Sequence, residues 1–488
     1  MRIGDILVAS GVVTKAQVDQ ALQRQKSAGG RLGDNLVALG AIGNEDLDGV
    51  LNEIPASPRS IAETGVSEGT LLNMLLKLVY ARNLDTTSKM SDELMLPAAL
   101  INTLLAEAER RQLVEVLGKA DGVLSEIRYT LSATGRRRAS EAFEVSQYIG
   151  PAPIPFTAYQ TRILRQRITN ERIGRPDVDI AFGDLTVPKD FIDRLGPGIN
   201  SGRAILLYGP AGNGKTSVAE RIARIFKGII YVPYCIEVEG QLIKVFDPTL
   251  HEAVPQSKIA GSHSILRDDF DRRWVPCKRP VVITGGELTL EMLDLQYNAT
   301  ARFYEAPLHV KALGGTFIID DFGRQLVSPE QLLNRWIVPM QSRVDYLKLH
   351  TGKSFSLPFD ELIIFSTNMD PSDLMDPAFL RRIPYKLETA PPSLENYREI
   401  FRRVAEIERL AFDDEVLQFV LKKLTVENSH PLACYQPRFI VDQVLSACKY
   451  EGIPPTFSRE RIAVALDNLY VKRKHQPAAA PQSLSRAS

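Results

Sequence analysis

Ala204-Ile205-Leu206-Leu207-Tyr208-Gly209-Pro210-Ala211-Gly212-Asn213-Gly214-Lys215-Thr216-Ser217 is the stretch on which the fold of this chain turns. Residues 204–208 form an apolar run of buried-strand type, and a helix is expected from about Ser217. Between them lies Gly-x-x-x-x-Gly-Lys-Thr in the strand–loop–helix context that a P-loop requires. Glycines permit a tight loop whose backbone N–H groups wrap phosphate; Lys215 places a point charge on the β and γ oxygens, and Thr216 offers its hydroxyl to Mg²⁺. The expected ATP contacts are Gly209, Pro210, Ala211, Gly212, Asn213, Gly214, Lys215, Thr216 and Ser217.

Working outward, a P-loop needs an acid on a neighbouring strand. Thr316-Phe317-Ile318-Ile319-Asp320-Asp321 supplies one: Asp320 ends a buried strand, where it joins Thr216 in holding Mg²⁺, and Asp321 follows as the candidate general base. Other buried-strand runs fall at 229–232, 281–284 and 361–366, so the region from about 180 reads as α/β. The run 363–367 ends at Asn368, and 374–380 leads into Arg381 and Arg382. A helical region follows at about 393–470, with Pro437-Arg438 inside it.

Residues 180–470 resemble an AAA+ ATPase. The resemblance assigns Asn368 to the first sensor, Arg381 and Arg382 to the arginine-finger segment and Arg438 to the second sensor in a helical lid. It implies an oligomeric ring, usually a hexamer, in which a neighbour's arginine stabilises charge on the transferred phosphoryl group. Together Lys215, Asp320, Asp321, Asn368, Arg381, Arg382 and Arg438 form the expected catalytic set. Two features depart from the family pattern. The usual glutamate after the strand-end aspartate is here Asp321, one methylene shorter, which points to slower hydrolysis; Glu287 could substitute as the base, though its position favours a helix-capping role. Lys215 and Asp320 are also 105 positions apart, which predicts an insertion at about 240–300. Residues 344–349 and 353–357 flank His350-Thr351-Gly352 like the pre-sensor hairpin of MoxR-like and enhancer-activator AAA+ proteins. Arg302-Phe303-Tyr304 reads either as core or as an aromatic pair that grips a client chain.

The amino-terminal segment repeats itself with a period of 29: Arg2-Ile3-Gly4-Asp5 aligns with Arg31-Leu32-Gly33-Asp34, Leu7-Val8 with Leu36-Val37, Gly11 with Gly40, Val18 with Leu47. Thr14 and Gln17 form a capping-box pair ahead of a helix carrying Val18, Leu22 and Gln25. This tandem motif resembles the MshEN-type domain, the cyclic-di-GMP-binding module of type IV pilus and type II secretion assembly ATPases. A ligand with two guanines and two phosphates suits two copies of one motif. The resemblance makes Arg2, Ile3, Gly4, Leu7, Val8, Gly11, Leu22, Gln25, Arg31, Leu32, Gly33, Leu36, Val37 and Gly40 the cyclic-di-GMP contacts, with arginines on guanine or phosphate and leucines and valines as apolar floor. Ile54 stands where the second motif would end in glutamine. The tetracysteine knuckle and the histidine and aspartate boxes of those assembly ATPases are missing, so that resemblance stops at this domain.

Residues 66–145 read as three helices followed by strand-like 113–116 and 127–131, a winged-helix-like α+β order, with Arg128 and Arg136-Arg137-Arg138 near the wing. Gly150-Pro151-Ala152-Pro153-Ile154-Pro155 is too proline-rich for a helix and reads as a stiff connector, followed by Arg162, Arg165, Arg167, Arg172 and Arg175.

With 488 residues, several cores are expected. Apolar residues at 44% and charged residues at 24% exclude a disordered or fibrous chain. Lys plus Arg and Asp plus Glu are both 59, so no global field draws the molecule to nucleic acid or an anionic membrane. The four cysteines are scattered without CxxC pairs or histidines at ligand spacing, which argues against a zinc site or disulfide framework. The sequence therefore predicts a multidomain cytoplasmic protein without membrane insertion: a tandem-repeat domain at 1–54, a winged-helix-like domain at 65–148, a linker at 149–178, a P-loop core at 179–390, a helical lid at 391–475 and a disordered tail at 476–488. The expected function is a cyclic-di-GMP-responsive, Mg²⁺-dependent ATPase ring that remodels a client protein. The alternatives are an ATP-switched DNA-binding regulator and a weakly hydrolysing effector scaffold.

Overall fold

The structure, a computed structural model, describes residues 4, 7–8, 12–29, 32–51, 54–119, 126–255, 270–427 and 429–470. It divides into two compact units. One comprises Met1–Ala181, Asp190–Tyr208 and Val218–Leu387; the other comprises Phe182–Lys189, Gly209–Ser217 and Glu388–Ser488.

In the first unit, the amino-terminal segment carries helices Lys15–Ala28, Leu32–Ala38 and Asn44–Leu51. Thr14 caps the first through the expected box, its hydroxyl accepting from Gln17 N while its own N–H donates to Gln17 Oε1 at 2.8 Å. The repeat is a packing repeat: Leu7 and Leu36 are fully buried, and Val13 with Ile42 and Val18 with Leu47 complete the same small core. A Cβ on Gly4 would lie 2.8 Å from Val18, and one on Gly33 would lie 2.9 Å from Leu47. The paired glycines thus admit the paired branched side chains one period apart.

Next come helices Glu68–Arg82, Thr87–Leu94 and Ala98–Arg110, then the antiparallel strands β1 (Val114–Lys119) and β2 (Ile127–Leu131), then a helix Ala133–Val145. Arg136, Arg137 and Arg138 belong to that last helix and not to a wing, because Ser132 caps it by accepting from Gly135 N. A Cβ on Gly135 would sit 1.9 Å from Leu113 O, so only glycine lets this helix dock there. Arg128 is paired with Asp85 at 2.8 Å.

Residues 149–178 are not a free connector. They carry β3 (Ile154–Pro155) and the helix Phe156–Arg165. β3 is the edge of a five-stranded sheet of order β10-β11-β7-β6-β3, in which β6 is Cys235–Val238, β7 Gln241–Lys244, β10 Gln296–Asn298 and β11 Phe303–Glu305. The arginines of this stretch are spent internally: Arg162 is buried with its guanidinium 5.3 Å from the Tyr231 ring, and Arg172 pairs with Asp34.

The central sheet has the order β16-β4-β15-β12-β9, with β4 Ile205–Tyr208, β9 Val281–Thr284, β12 Thr316–Ile319, β15 Leu362–Thr367 and β16 Tyr385–Glu388. β4, β15, β12 and β9 run parallel. The run at 229–232 does not join this sheet. As β5 (Ile229–Pro233) it pairs antiparallel with β8 (Trp274–Lys278), and β16, absent from the sequence reading, fills the edge beside β4. A short apolar run reads the same whichever sheet it joins, and distant pairing decides. The inserted material therefore begins at β5, earlier than 240. β13 (Val344–Lys348) and β14 (Ser354–Pro358) form the expected hairpin. Tyr304 is core, 1% exposed, with its hydroxyl against His350 at the hairpin tip.

In the second unit, helices Leu394–Ile407, Asp414–Leu421, Gln436–Glu451 and Arg459–Leu469 surround a core of Tyr397, Phe401, Leu417, Val441 and Ile462. The expected tail at 476–488 lies outside the described residues. No helix among the described residues is long and apolar enough to cross a membrane.

Candidate nucleotide-binding site

β4 delivers the chain at Tyr208 directly into Gly209, and the loop ends where the helix Lys215–Ile225 begins. Gly209, Gly212 and Gly214 have φ of 134°, 81° and 79°, conformations that L side chains rarely adopt. Lys215 is buried, 6% exposed, and its Nζ donates to Gly209 O at 2.9 Å and Pro210 O at 3.0 Å, which holds the ammonium over the loop.

Within the second unit the loop is braced by residues the sequence reading did not single out. Tyr435 N donates to Gly212 O at 3.0 Å, and Cys434 N donates to the buried Asn213 Oδ1 at 3.3 Å. A Cβ on Gly212 would lie 2.3 Å from the Tyr435 ring, and one on Gly209 would lie 2.7 Å from Thr389 O. The glycines therefore serve close approach of Thr389 and Tyr435 as well as the turn. Tyr435 stands two residues before Pro437-Arg438, and that adjacency is the signal that could have found it. Arg438 is held within the same unit by Glu408 and Asp442, each at 2.9 Å.

In the first unit, the parallel register aligns the carboxyl ends of the central strands. Thr367 pairs with Tyr208, and Ile319 stands opposite both Phe365 and Thr284. Asn368 and Asp320 thus follow directly from adjacent strands on the sheet edge where α/β folds place ligands. Asp320 N donates to Thr284 O at 2.8 Å, which continues the ladder one residue past the strand. Asp321 turns into the left-handed region, φ 48°, with its N–H on Asp320 Oδ1 at 3.1 Å and its side chain exposed. Gln325 Nε2 donates to the carbonyls of Asp320 and Asp321, and Phe322 N to Ser366 O, so the acidic turn is tied to β15. The Glu287 carboxylate accepts from Gly285 N at 2.9 Å, a local turn contact.

Arg381 and Arg382 follow the short helix Pro377–Leu380, whose N-terminus Asp376 caps. Both are exposed, with Nε of Arg381 on Pro377 O and Nη1 of Arg382 on Ala378 O.

The residues present suit a Mg²⁺–nucleoside triphosphate. In the second unit the positive-φ glycines and the buried ammonium make a phosphate cradle, and Thr216 there carries a hard oxygen donor of the kind Mg²⁺ takes alongside phosphate oxygens. Among the described residues no three His, Cys, Asp or Glu side chains cluster as a metal cage.

Of the expected cyclic-di-GMP contacts, Arg2, Ile3, Gly11 and Arg31 lie outside the described residues. Leu7 and Leu36 are core and offer no floor to a ligand, while Val8, Leu22, Gln25, Leu32 and Val37 are half-buried. Gly4 and Gly33 approach neighbouring helices, and Gly40 lies in a turn with φ 65°.

Residues 393–468 match a family described as "Domain of unknown function (DUF8689)". The chain is 28% identical to the "Proteasome-activating nucleotidase" of Thermococcus kodakarensis, over 32% of this chain and 40% of that one. It is 26% identical to the "Vesicle-fusing ATPase" of Caenorhabditis elegans, over 36% of this chain and 22% of that one. These distant relatives support an AAA+ ATPase class for the nucleotide-binding region, and the chain spans less than half the length of either. Domain III of the Thermotoga maritima replication initiation protein DnaA aligns at 15% identity and a TM-score of 0.33, over 59% of this chain and 96% of that one. A likeness at that level carries no argument.

Proposed function

We propose that this protein is an AAA+ ATPase that assembles as a homo-oligomeric ring, of hexameric type, and uses ATP hydrolysis to remodel a client protein. The observation that carries the reading is the P-loop itself: positive-φ glycines and a buried Lys215 at the end of β4, the strand flanked by β15. ATP and Mg²⁺ are the cofactors of this reading. Mg²⁺ would be held by Thr216 and Asp320 and would neutralise charge on the phosphate oxygens. Lys215 binds those oxygens, Asn368 orients the attacking water, and Asp321 accepts its proton. Arg381 or Arg382 acts on the nucleotide of a neighbouring copy, and Arg438 reports from the lid once it leaves Glu408 and Asp442. Lys215→Ala is expected to abolish ATP turnover in steady-state assays; an unchanged rate would remove the assignment.

The weakly hydrolysing variant of this reading draws support from Asp321, whose short side chain leaves a left-handed turn and is exposed. A DNA-binding role draws little, since Arg128 is paired with Asp85 and Arg138 donates to Asn73. Control by cyclic-di-GMP, in a cytoplasmic setting, rests on the 29-residue period and its Arg-(Leu/Ile)-Gly motif. With Leu7 and Leu36 in the core, recognition falls to Arg2 and Arg31 with half-buried Val8 and Val37. Calorimetric titration of cyclic-di-GMP into the full chain should show binding that Arg31→Ala loses; no binding by intact, folded protein leaves the repeat a packing adaptor.

A further inference from the structure

A cavity of about 470 Å³ opens in the first unit, where the amino-terminal ends of β4 and β15 meet the residues after Pro377–Leu380. It is at the opposite end of these strands from Tyr208 and Asn368. Four arginines line it, Arg203, Arg343, Arg381 and Arg382, together with Ser201 and Gln341, and none of the lining residues is a carboxylate. Arg203, Arg381 and Arg382 are exposed, and none of the four forms an ion pair with an acid among the described residues. Arg343 is fixed in a left-handed cap, φ 58°, with Nη2 donating to Gly202 O. Glu361 is the carboxyl that acts electrostatically on Arg343, and it is fully buried; burial favours its neutral form. Four guanidiniums thus line one hollow that has no carboxylate among its lining residues, so an anion seated there would be attracted by all four.

We propose that this cavity is a binding site for a phosphate chain, in which Arg203 and Arg343 hold the anion together with Arg381 and Arg382. Planar guanidinium forks match phosphate oxygens in pairs, and several cations call for more negative charge than one carboxylate brings. The volume lies in the range of small-ligand pockets, larger than a single phosphate fills. Such a chain comes either from the nucleotide of a second copy or from a free nucleotide or pyrophosphate. The first source rests on the ring ATPase proposed above and extends its arginine pair to a four-arginine cradle.

The site is tested by titrating pyrophosphate into full-length Lys215→Ala protein, in which the P-loop lysine is gone, and into Lys215→Ala/Arg203→Glu. Arg203 is exposed, so its reversal leaves the core intact, and Arg203→Gln serves as a second variant without repulsion. The expected result is binding by the first protein and at least a tenfold loss of affinity in both double variants. No binding, or equal affinity in all three, overturns the proposal. The source is read by mixing Lys215→Ala with Arg203→Glu protein. Turnover above the sum of the two assigns the anion to a second copy; no gain, with pyrophosphate binding still dependent on Arg203, assigns it to a free ligand. Failure of the ATPase reading shows separately, as wild-type turnover retained by Lys215→Ala.

Discussion

Lys215 and Glu361 illustrate how far one residue's chemistry follows from its surroundings. The lysine is buried, yet its ammonium has carbonyl partners in its own loop, so the loop holds the charge in place ahead of any ligand. Glu361 is fully buried and lacks such a ring of partners. Desolvation in the first place, then Asp360 and Asp345 nearby, push its carboxyl well above the usual 4.5, against the pull of Arg343 and of a backbone hydrogen bond at Asp360. The folded state therefore keeps a proton that the unfolded chain releases above about pH 4.5, and stability contributed here falls as pH rises beyond that value. Glu361→Met removes the carboxyl at similar volume. Its stability relative to wild type, measured by denaturant unfolding, should grow from pH 5 to pH 8; a constant difference would show that Glu361 is not held neutral.

The β13–β14 hairpin is anchored as an element by one buried carboxylate. Asp345, 2% exposed, takes both nitrogens of Arg335 from the Pro329–Ser342 helix, at 2.7 and 2.9 Å, and His309 Nε2 at 2.8 Å. Burial alone would raise its pKa, but the hydrogen bonds and charges of His309 and Arg335 outweigh it and bring the carboxyl down to about 2. The contribution is present above the unfolded value of 3.8 and is lost as pH falls towards 2. Asp345→Asn should cost about 3 kcal/mol at neutral pH, because Arg335 loses its buried partner. The gap to wild type in unfolding experiments should narrow between pH 4 and pH 2; a gap independent of pH would mean that the charge does not anchor the hairpin. At the same scale, the repeat's period was legible because the Gly4–Val18 and Gly33–Leu47 contacts reuse one packing solution.

Across the first unit, a buried guanidinium is one of the ties between the amino-terminal half and the strands beyond β5. Arg273, 3% exposed, pairs with Asp271 at 2.9 Å and donates through Nη1 to Thr64 O at 3.0 Å and Pro153 O at 3.1 Å. Asp271 N in turn donates to Pro55 O at 2.9 Å. One side chain thereby joins three chain segments otherwise far apart in sequence. Arg273→Ala strands Asp271 without its partner and should destabilise this junction by about 3–5 kcal/mol. Hydrogen exchange should accelerate at residues 55–66 and 152–155; unchanged protection there would show that the junction is held by its apolar contacts alone.

The loop between β4 and the helix that follows it, the strand ends before Asp320 and Asn368, and the helical region after 393 were readable from residue type and spacing, because each depends on a few neighbouring positions. So was the order of helices and strands at 68–131, where helical and strand periods alternate cleanly. Which strands share a sheet was not. The 229–233 run left the central sheet for Trp274–Lys278, Ile154 and Pro155 of the expected connector became β3, and Tyr385–Glu388 took an edge, since strand pairing is settled by contacts far apart along the chain. The same holds for the bracing of Gly209 and Gly212 by Thr389 and Tyr435, and for the arginine-lined cavity. Sequence periodicity carries local backbone and burial preferences; only folding brings residues 203, 343 and 381 to one place, because their meeting depends on how whole elements pack.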